Sequence, residues 1–203
     1  MQRGYLIVIE GIDGAGTTTQ AARLVDALRT TGRGAHLTRE PSDGQIGRML
    51  RDMLAGRLPA VENAAMALLF AADRADHLHR EIEPAIARGA IVVTDRYYHS
   101  SLAYQGSNED REWILAINGR ARRPDLTIVL EVSPEVAAAR RDADQRPEEL
   151  YDRIETQRRV AEGYRALTTA VGTRERLVTL DGARSMNELA AEILRLAWET
   201  CAG

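Results

Sequence analysis

The chain contains no lysine: all 27 of its lysine-plus-arginine positions are arginine. Lysine is among the commonest residues of soluble proteins, so this gap is not ordinary sampling. With the richness in alanine, it suggests a GC-rich genome that has drifted from lysine to arginine. Cysteine is almost missing as well. Cys201 stands alone among 203 residues, which excludes an intrachain disulfide and fits a reducing, cytoplasmic setting. No run approaches the ~18 consecutive apolar residues of a membrane span. The short apolar stretch at the N-terminus runs into Glu10, against a signal peptide. A net charge of -3 supplies no basic field for nucleic acid, so charged ligands must be held by local arginines. Repeats, low-complexity tracts and long linkers are absent. His36, His77, His79 and His99 form no metal-ligand pattern and read as surface or packing residues, and Trp113 and Trp198 as helix packing.

What is present suits one α/β domain over residues 1–203, 44% hydrophobic and 28% charged. Strands are expected at 5–9, 35–38, 90–94, 126–132 and 176–180. Helical patterns lie between them at 18–31, 45–55, 62–88, 99–118, 134–143, 149–170 and 185–200. Continuous β-branched runs bounded by helices predict a parallel sheet covered on both faces. The densest charge run, Arg140 to Asp152, holds three arginines and five carboxylates and reads as a mobile loop rather than core.

The most informative segment follows the first strand. Gly11-Ile12-Asp13-Gly14-Ala15-Gly16-Thr17-Thr18-Thr19 has the pattern of a phosphate-binding loop, except that Thr17 stands where the lysine belongs. Gly11, Gly14 and Gly16 let the backbone curl so that successive N–H groups face a phosphate chain, aided by the positive end of the next helix. Thr18 supplies the hydroxyl that would ligate Mg²⁺ between β- and γ-phosphates. Drift from lysine would have given arginine at position 17. Threonine is therefore a real chemical change, one neutral hydrogen bond in place of a charge-assisted one.

Asp95-Arg96-Tyr97 directly follows the third strand, at the carboxyl end where open parallel sheets bind ligands. Alone, an Asp-Arg pair there is a structural salt bridge. In company with Arg39-Glu40-Pro41 and with Phe70 and Arg74, one helical turn apart, it describes a monophosphate pocket. The ring would stack on a base, Arg74 would donate to a carbonyl edge, and Arg39 and Arg96 would hold the phosphate.

These motifs, with Ser100-Ser-Leu-Ala-Tyr-Gln105 and Asp152-Arg-Ile-Glu155, resemble those of the thymidylate kinases from about residue 4 to 200. The resemblance implies a P-loop kinase fold with a five-stranded parallel sheet, helices on both faces and a flexible lid at about 141–153. It also implies ATP and dTMP as substrates, Mg²⁺ dependence, a cytoplasmic homodimer, and neither nucleic acid nor membrane as partner. By the same resemblance Phe70 stacks on thymine, Arg74 donates to its O4, and Ser101 and Gln105 line its other edge. Asp13 positions the sugar 3′-hydroxyl, and Tyr97 crowds out a ribose 2′-hydroxyl. Asp95 holds Mg²⁺ through water, Arg140 lies against adenine, and Asp181-Gly182-Ala183 lines its far side. The family's catalytic arginine sits either in the loop, where this chain has Gly14, or in the lid. Here Arg141, Arg146 and Arg153 are in or near the lid, with Arg146 the first choice for the transition state and Arg153 the next.

Thr17 keeps three readings open: a dTMP kinase whose arginines compensate, a nucleotide-binding sensor or regulator with little catalysis, and a kinase of another pyrimidine monophosphate. Losing one preorganised donor typically costs ~10²–10³ in rate.

Overall fold

The computed structural model describes residues 3–167, 171 and 175–202. Five parallel strands form one sheet: β1 (Tyr5–Gly11), β2 (Ala35–Arg39), β3 (Ile91–Asp95), β4 (Leu126–Glu131) and β5 (Leu177–Asp181), in the spatial order β2-β3-β1-β4-β5. All seven residues of β1 and all five of β3 are buried, whichever way their side chains point. Both faces of the central sheet are therefore covered, which is why these strands read as unbroken apolar runs. The edge strands β2 and β5 are partly exposed.

The helices are α1 (Thr17–Thr30), α2 (Gln45–Leu54), α3 (Asn63–His77), α4 (Glu83–Ala87), α5 (Tyr98–Tyr104), α6 (Arg111–Ile117), α7 (Pro134–Ala143), α8 (Ile154–Arg165) and α9 (Met186–Cys201). α7 has the bounds that its pattern predicts, and α1, α2 and α9 shift by one residue. Three expectations change. The single helix expected at 62–88 runs on as helix but widens into a π turn at Leu78–Ile82 before α4. Pro84, at the start of α4, lacks an N–H and crowds the carbonyl four residues back, and a wide turn accommodates it. The helix expected at 99–118 is broken into α5, a 3₁₀ turn at Gln105–Ser107, and α6, which is capped by Asp110. The helix expected at 149–170 begins only at Ile154, and residues 168–170 of that expectation lie outside the described residues.

In the charged run read as a loop rather than core, residues 142–148 and 150 are exposed. Two of its members are the exception: the side chains of Arg141 and Asp152 are nearly buried, where they neutralise each other. A small second core of Leu50, Met53 and Met66 joins α2 to α3, with Phe70 packed against it. That core sets the far wall of the site.

Candidate active site

β1 and β3 are direct neighbours, with Ile9 opposite Asp95. The loops leaving their carboxyl ends must therefore meet at the point where the strand order reverses direction. The β1 loop takes its shape from Gly14 and Gly16, whose φ values of 92° and 96° lie in the left-handed region. Gly14 also touches α7: a Cβ there would come within 2.5 Å of the Ala137 carbonyl oxygen. α1 begins at Thr17, so its positive end opens on a cavity of about 840 Å³. Asp13 to Thr19 line that cavity. Ile12 is buried in the core, and Gly11 ends β1 with its carbonyl turned to Arg96.

Thr18 Oγ1 donates to Asp95 Oδ2 at 2.5 Å, while Asp95 Oδ1 is buried without a partner among the described residues. A paired hydroxyl and carboxylate with one oxygen to spare is a donor set suited to a hydrated Mg²⁺. Next along, Arg96 adopts a φ of 72°, rare for a residue with a side chain and characteristic of functional sites. The conformation is over-determined. Its N–H donates to the Ile9 carbonyl, its own carbonyl accepts from Thr94, and its guanidinium donates to the Gly11 carbonyl at 2.8 Å and to Asp13 Oδ1 at 2.7 Å.

Asp13 is the hub. Tyr104 donates to its Oδ2 at 2.8 Å and Gln157 at 2.9 Å. Burial raises its pKa, but the Arg96 charge and these two donors outweigh that, and the carboxyl stays below its usual range. It is an anion with acceptor capacity and a poor base. Under this turn, Glu10 is wholly buried and accepts from the backbone N–H of Tyr97 and the hydroxyls of Ser100 and Tyr164. Burial pushes its pKa up to about 7 against the opposing pull of Arg96.

At the other end of the cavity stand Phe70, Arg74, Tyr97, Ser101 and Gln105, with Arg39 on the exposed rim paired to Asp43. Arg74 is almost completely buried. Its Nε and Nη2 each lie 2.7 Å from Glu40, and Nη1 donates to Ser101 and to Asn118. Three of its five N–H groups donate hydrogen bonds and Nη2 lies against Glu40, so a spare N–H for a ligand must come from Nη2. Tyr97 lies flat beneath it, its ring centroid 5.4 Å from the guanidinium carbon. Arg140 donates to the Gly182 carbonyl, joining α7 to the loop after β5 beside the phosphate loop. Arg146 lines the cavity; Arg153 is exposed outside it.

The sequence did not single out Gln157, Tyr104, Glu10, Glu40 or Asn118 for a role. Gln157 and Asn118 had no local signal, because their partners Asp13 and Arg74 are distant in the chain. Glu10 did carry one, a carboxylate closing an otherwise apolar buried strand. His77 and His99 are buried, His77 against Glu40 and Thr38 and His99 against Glu175. Trp113 and Trp198 pack against the core. Among the described residues no helix is long and apolar enough to cross a membrane.

The family model for thymidylate kinase matches residues 9–193. A probable thymidylate kinase of Pyrobaculum calidifontis is 42% identical over 191 residues, 94% of each chain. A thymidylate kinase of Synechococcus sp. is 41% identical over 192 residues, 92% of this chain and 91% of its own. A probable thymidylate kinase of Pyrococcus abyssi is 41% identical over 167 residues, 80% of this chain and 82% of its own.

Proposed function

The chain belongs to the thymidylate kinase family, and from that membership we propose how its cavity divides the work. It transfers the γ-phosphoryl of ATP to dTMP, giving dTDP and ADP. The observation that carries the reading is one continuous cavity with a phosphate loop at one end and Phe70 and Arg74 at the other. Asp13 and Arg96 stand at the junction, where the two phosphates must meet.

Phe70 stacks on thymine, and a spare Nη2 N–H of Arg74 serves its O4. Cytosine would present an amino group to that donor and be rejected. Ser101, Gln105 and Tyr97 close round the base and sugar. Arg39 and Arg96 hold the monophosphate, and Asp13, kept anionic, orients the 3′-hydroxyl. Phosphoryl transfer through a loose transition state asks mainly for alignment and charge, so a poor base at this point is no handicap. The loop N–H groups hold the triphosphate, and Arg140 lies against adenine. Thr18 and Asp95 would hold Mg²⁺, which would supply positive charge against the charge developing on the transferring phosphoryl group.

Residues 1–203 are read as one domain with a lid at about 141–153. Arg146 is the transition-state arginine; Arg153 joins only if the lid moves. The working form is a homodimer, for which the half-exposed Leu68 on α3 is a suitable contact. Such an enzyme works where ATP and dTMP are, in the cytoplasm. A weak nucleotide-binding sensor and a kinase of another pyrimidine monophosphate are not favoured, because the whole acceptor end is present and suits thymine. The test is coupled ADP release from ATP–Mg²⁺ with a panel of nucleoside monophosphates. Turnover with dTMP well ahead of dCMP and UMP is expected, and equal rates would refute the assignment.

A further inference from the structure

Thr17 leaves the loop without the unit positive charge that its lysine would place beside the β- and γ-phosphates. The structure holds that charge close by. Arg141, on α7, enters from behind the loop: Nη1 donates to the Asp13 carbonyl at 2.5 Å, Nη2 donates to the Asp152 carbonyl at 3.1 Å, and Nε lies 3.2 Å from Asp152 Oδ1. Its stem passes so near the loop that a Cβ on Gly14 would lie 3.2 Å from Arg141 Cγ. Asp152, only 7% exposed, is shared with Arg146, whose Nη2 lies 3.0 and 3.2 Å from its two oxygens. Two guanidiniums on one carboxylate leave one positive charge in excess at the cavity wall. Glu149 and Asp144 also face the cavity; Glu149 feels the charge of Arg146 but makes no salt bridge to it, and burial, with Asp13 and Asp152 nearby, holds its carboxyl above the usual range.

The two arginines are not equivalent. Arg141 is 9% exposed and would be a buried, unpaired charge without Asp152, a costly state. Arg146 is 37% exposed, and an ion pair at such a site is weak enough to exchange for a better anion. We propose that Arg141, Asp152 and Arg146 together replace the loop lysine. Arg141 is the positioning residue that neutralises Asp152 and ties it to the loop, so that Arg146 can carry the excess charge to the triphosphate. The proposal rests on the dTMP kinase reading for the reaction it serves.

A double-mutant cycle tests it. Arg146→Ala changes an exposed side chain and leaves the core intact, whereas Arg141→Met risks the fold and serves only as a second background. Thr17→Lys should raise kcat at least ten times more in the Arg146→Ala background than in the parent, with the same ordering for Arg141→Met where it folds. The Kd of the fluorescent analogue mant-ATP with Mg²⁺ should be non-additive by at least fivefold over the same cycle. Equal gains from Thr17→Lys in both backgrounds, or an additive Kd cycle, would overturn the proposal. Because the binding cycle needs no acceptor, its result stands apart from whether dTMP is the substrate.

Discussion

At the scale of single residues, the site depends on what surrounds Asp13. Three donors face its carboxylate, and Gln157 is the one whose chemistry could most easily have been acidic. In Gln157→Glu a second carboxylate would stand where the 2.9 Å hydrogen bond now is. Like charges at that distance raise the pKa of at least one partner, by about a unit or more. Asp13, now held below its usual range, would then keep its anionic character less firmly as pH falls into the carboxylate range. We expect the acid limb of the kcat/KM profile for dTMP to move upward by about one pH unit. An unmoved limb would reduce Gln157 to space-filling. Phe70 offers the complementary test at the other end. Base stacking on an aromatic ring contributes ~1–3 kcal/mol, so Phe70→Ala should raise KM for dTMP by roughly 5- to 150-fold. KM for ATP should stay as it is; a parallel rise in both would place the ring in the wrong role.

At the scale of elements, Gly14 is where the loop and α7 lock together. Gly14→Ala meets two obstacles at once, a φ of 92° and the Ala137 carbonyl 2.5 Å from the new methyl group. The backbone strain alone is on the order of 1–3 kcal/mol. Relief requires α7 to back away, carrying Arg140 and Arg141 from the loop. The expected outcome is a loss of mant-ATP affinity exceeding tenfold, with far-ultraviolet circular dichroism unchanged. Retained affinity would mean that α7 is not needed to hold the loop. This element also marks what could be read beforehand. The loop, its glycines and the α7 bounds were legible because each depends on local backbone chemistry. The contacts of Gly14 with Ala137 and of Arg141 with Asp13 were not, since they join segments more than a hundred residues apart in the chain. For the same reason the burial of two members of the exposed charged run was hidden, because Arg141 and Asp152 are each other's partners. The π turn at Leu78–Ile82 falls between these cases: Pro84 is a local signal that the single helix expected at 62–88 passed over, and its accommodation by a wide turn was hidden.

At the scale of the whole molecule, the buried carboxylate under the Arg96 turn should govern how stability responds to pH. Glu10 titrates near 4.5 when exposed and at about 7 in the fold, so between those values the folded chain holds a proton that the unfolded chain has released. A folded-state pKa raised in this way contributes stability fully below pH 4.5 and loses it as pH rises through 7. Glu175, also pushed up to about 7 by burial, acts in the same direction. His99 opposes them. Burial lowers its pKa to about 3, so below its usual range it favours folding more as pH rises. The two carboxyls outweigh the one imidazole, and the raised pKa values of His77 and Glu149 act with them, so stability falls as pH rises between about 5 and 6.5. Urea midpoints for the parent should therefore decline across that window. Glu10→Gln removes one carboxyl and keeps the hydrogen bonds, since the Ser100 and Tyr164 hydroxyls can turn to accept from the new amide. Its midpoints should fall less steeply over the same range, since Glu175 and His99 then oppose each other and one source of the slope is gone. Parallel slopes for parent and variant would mean that Glu10 is already ionised in the fold, held so by Arg96. The turn carrying Arg96 would then rest on a buried ion pair, and lowering the pH would weaken the site instead of steadying it.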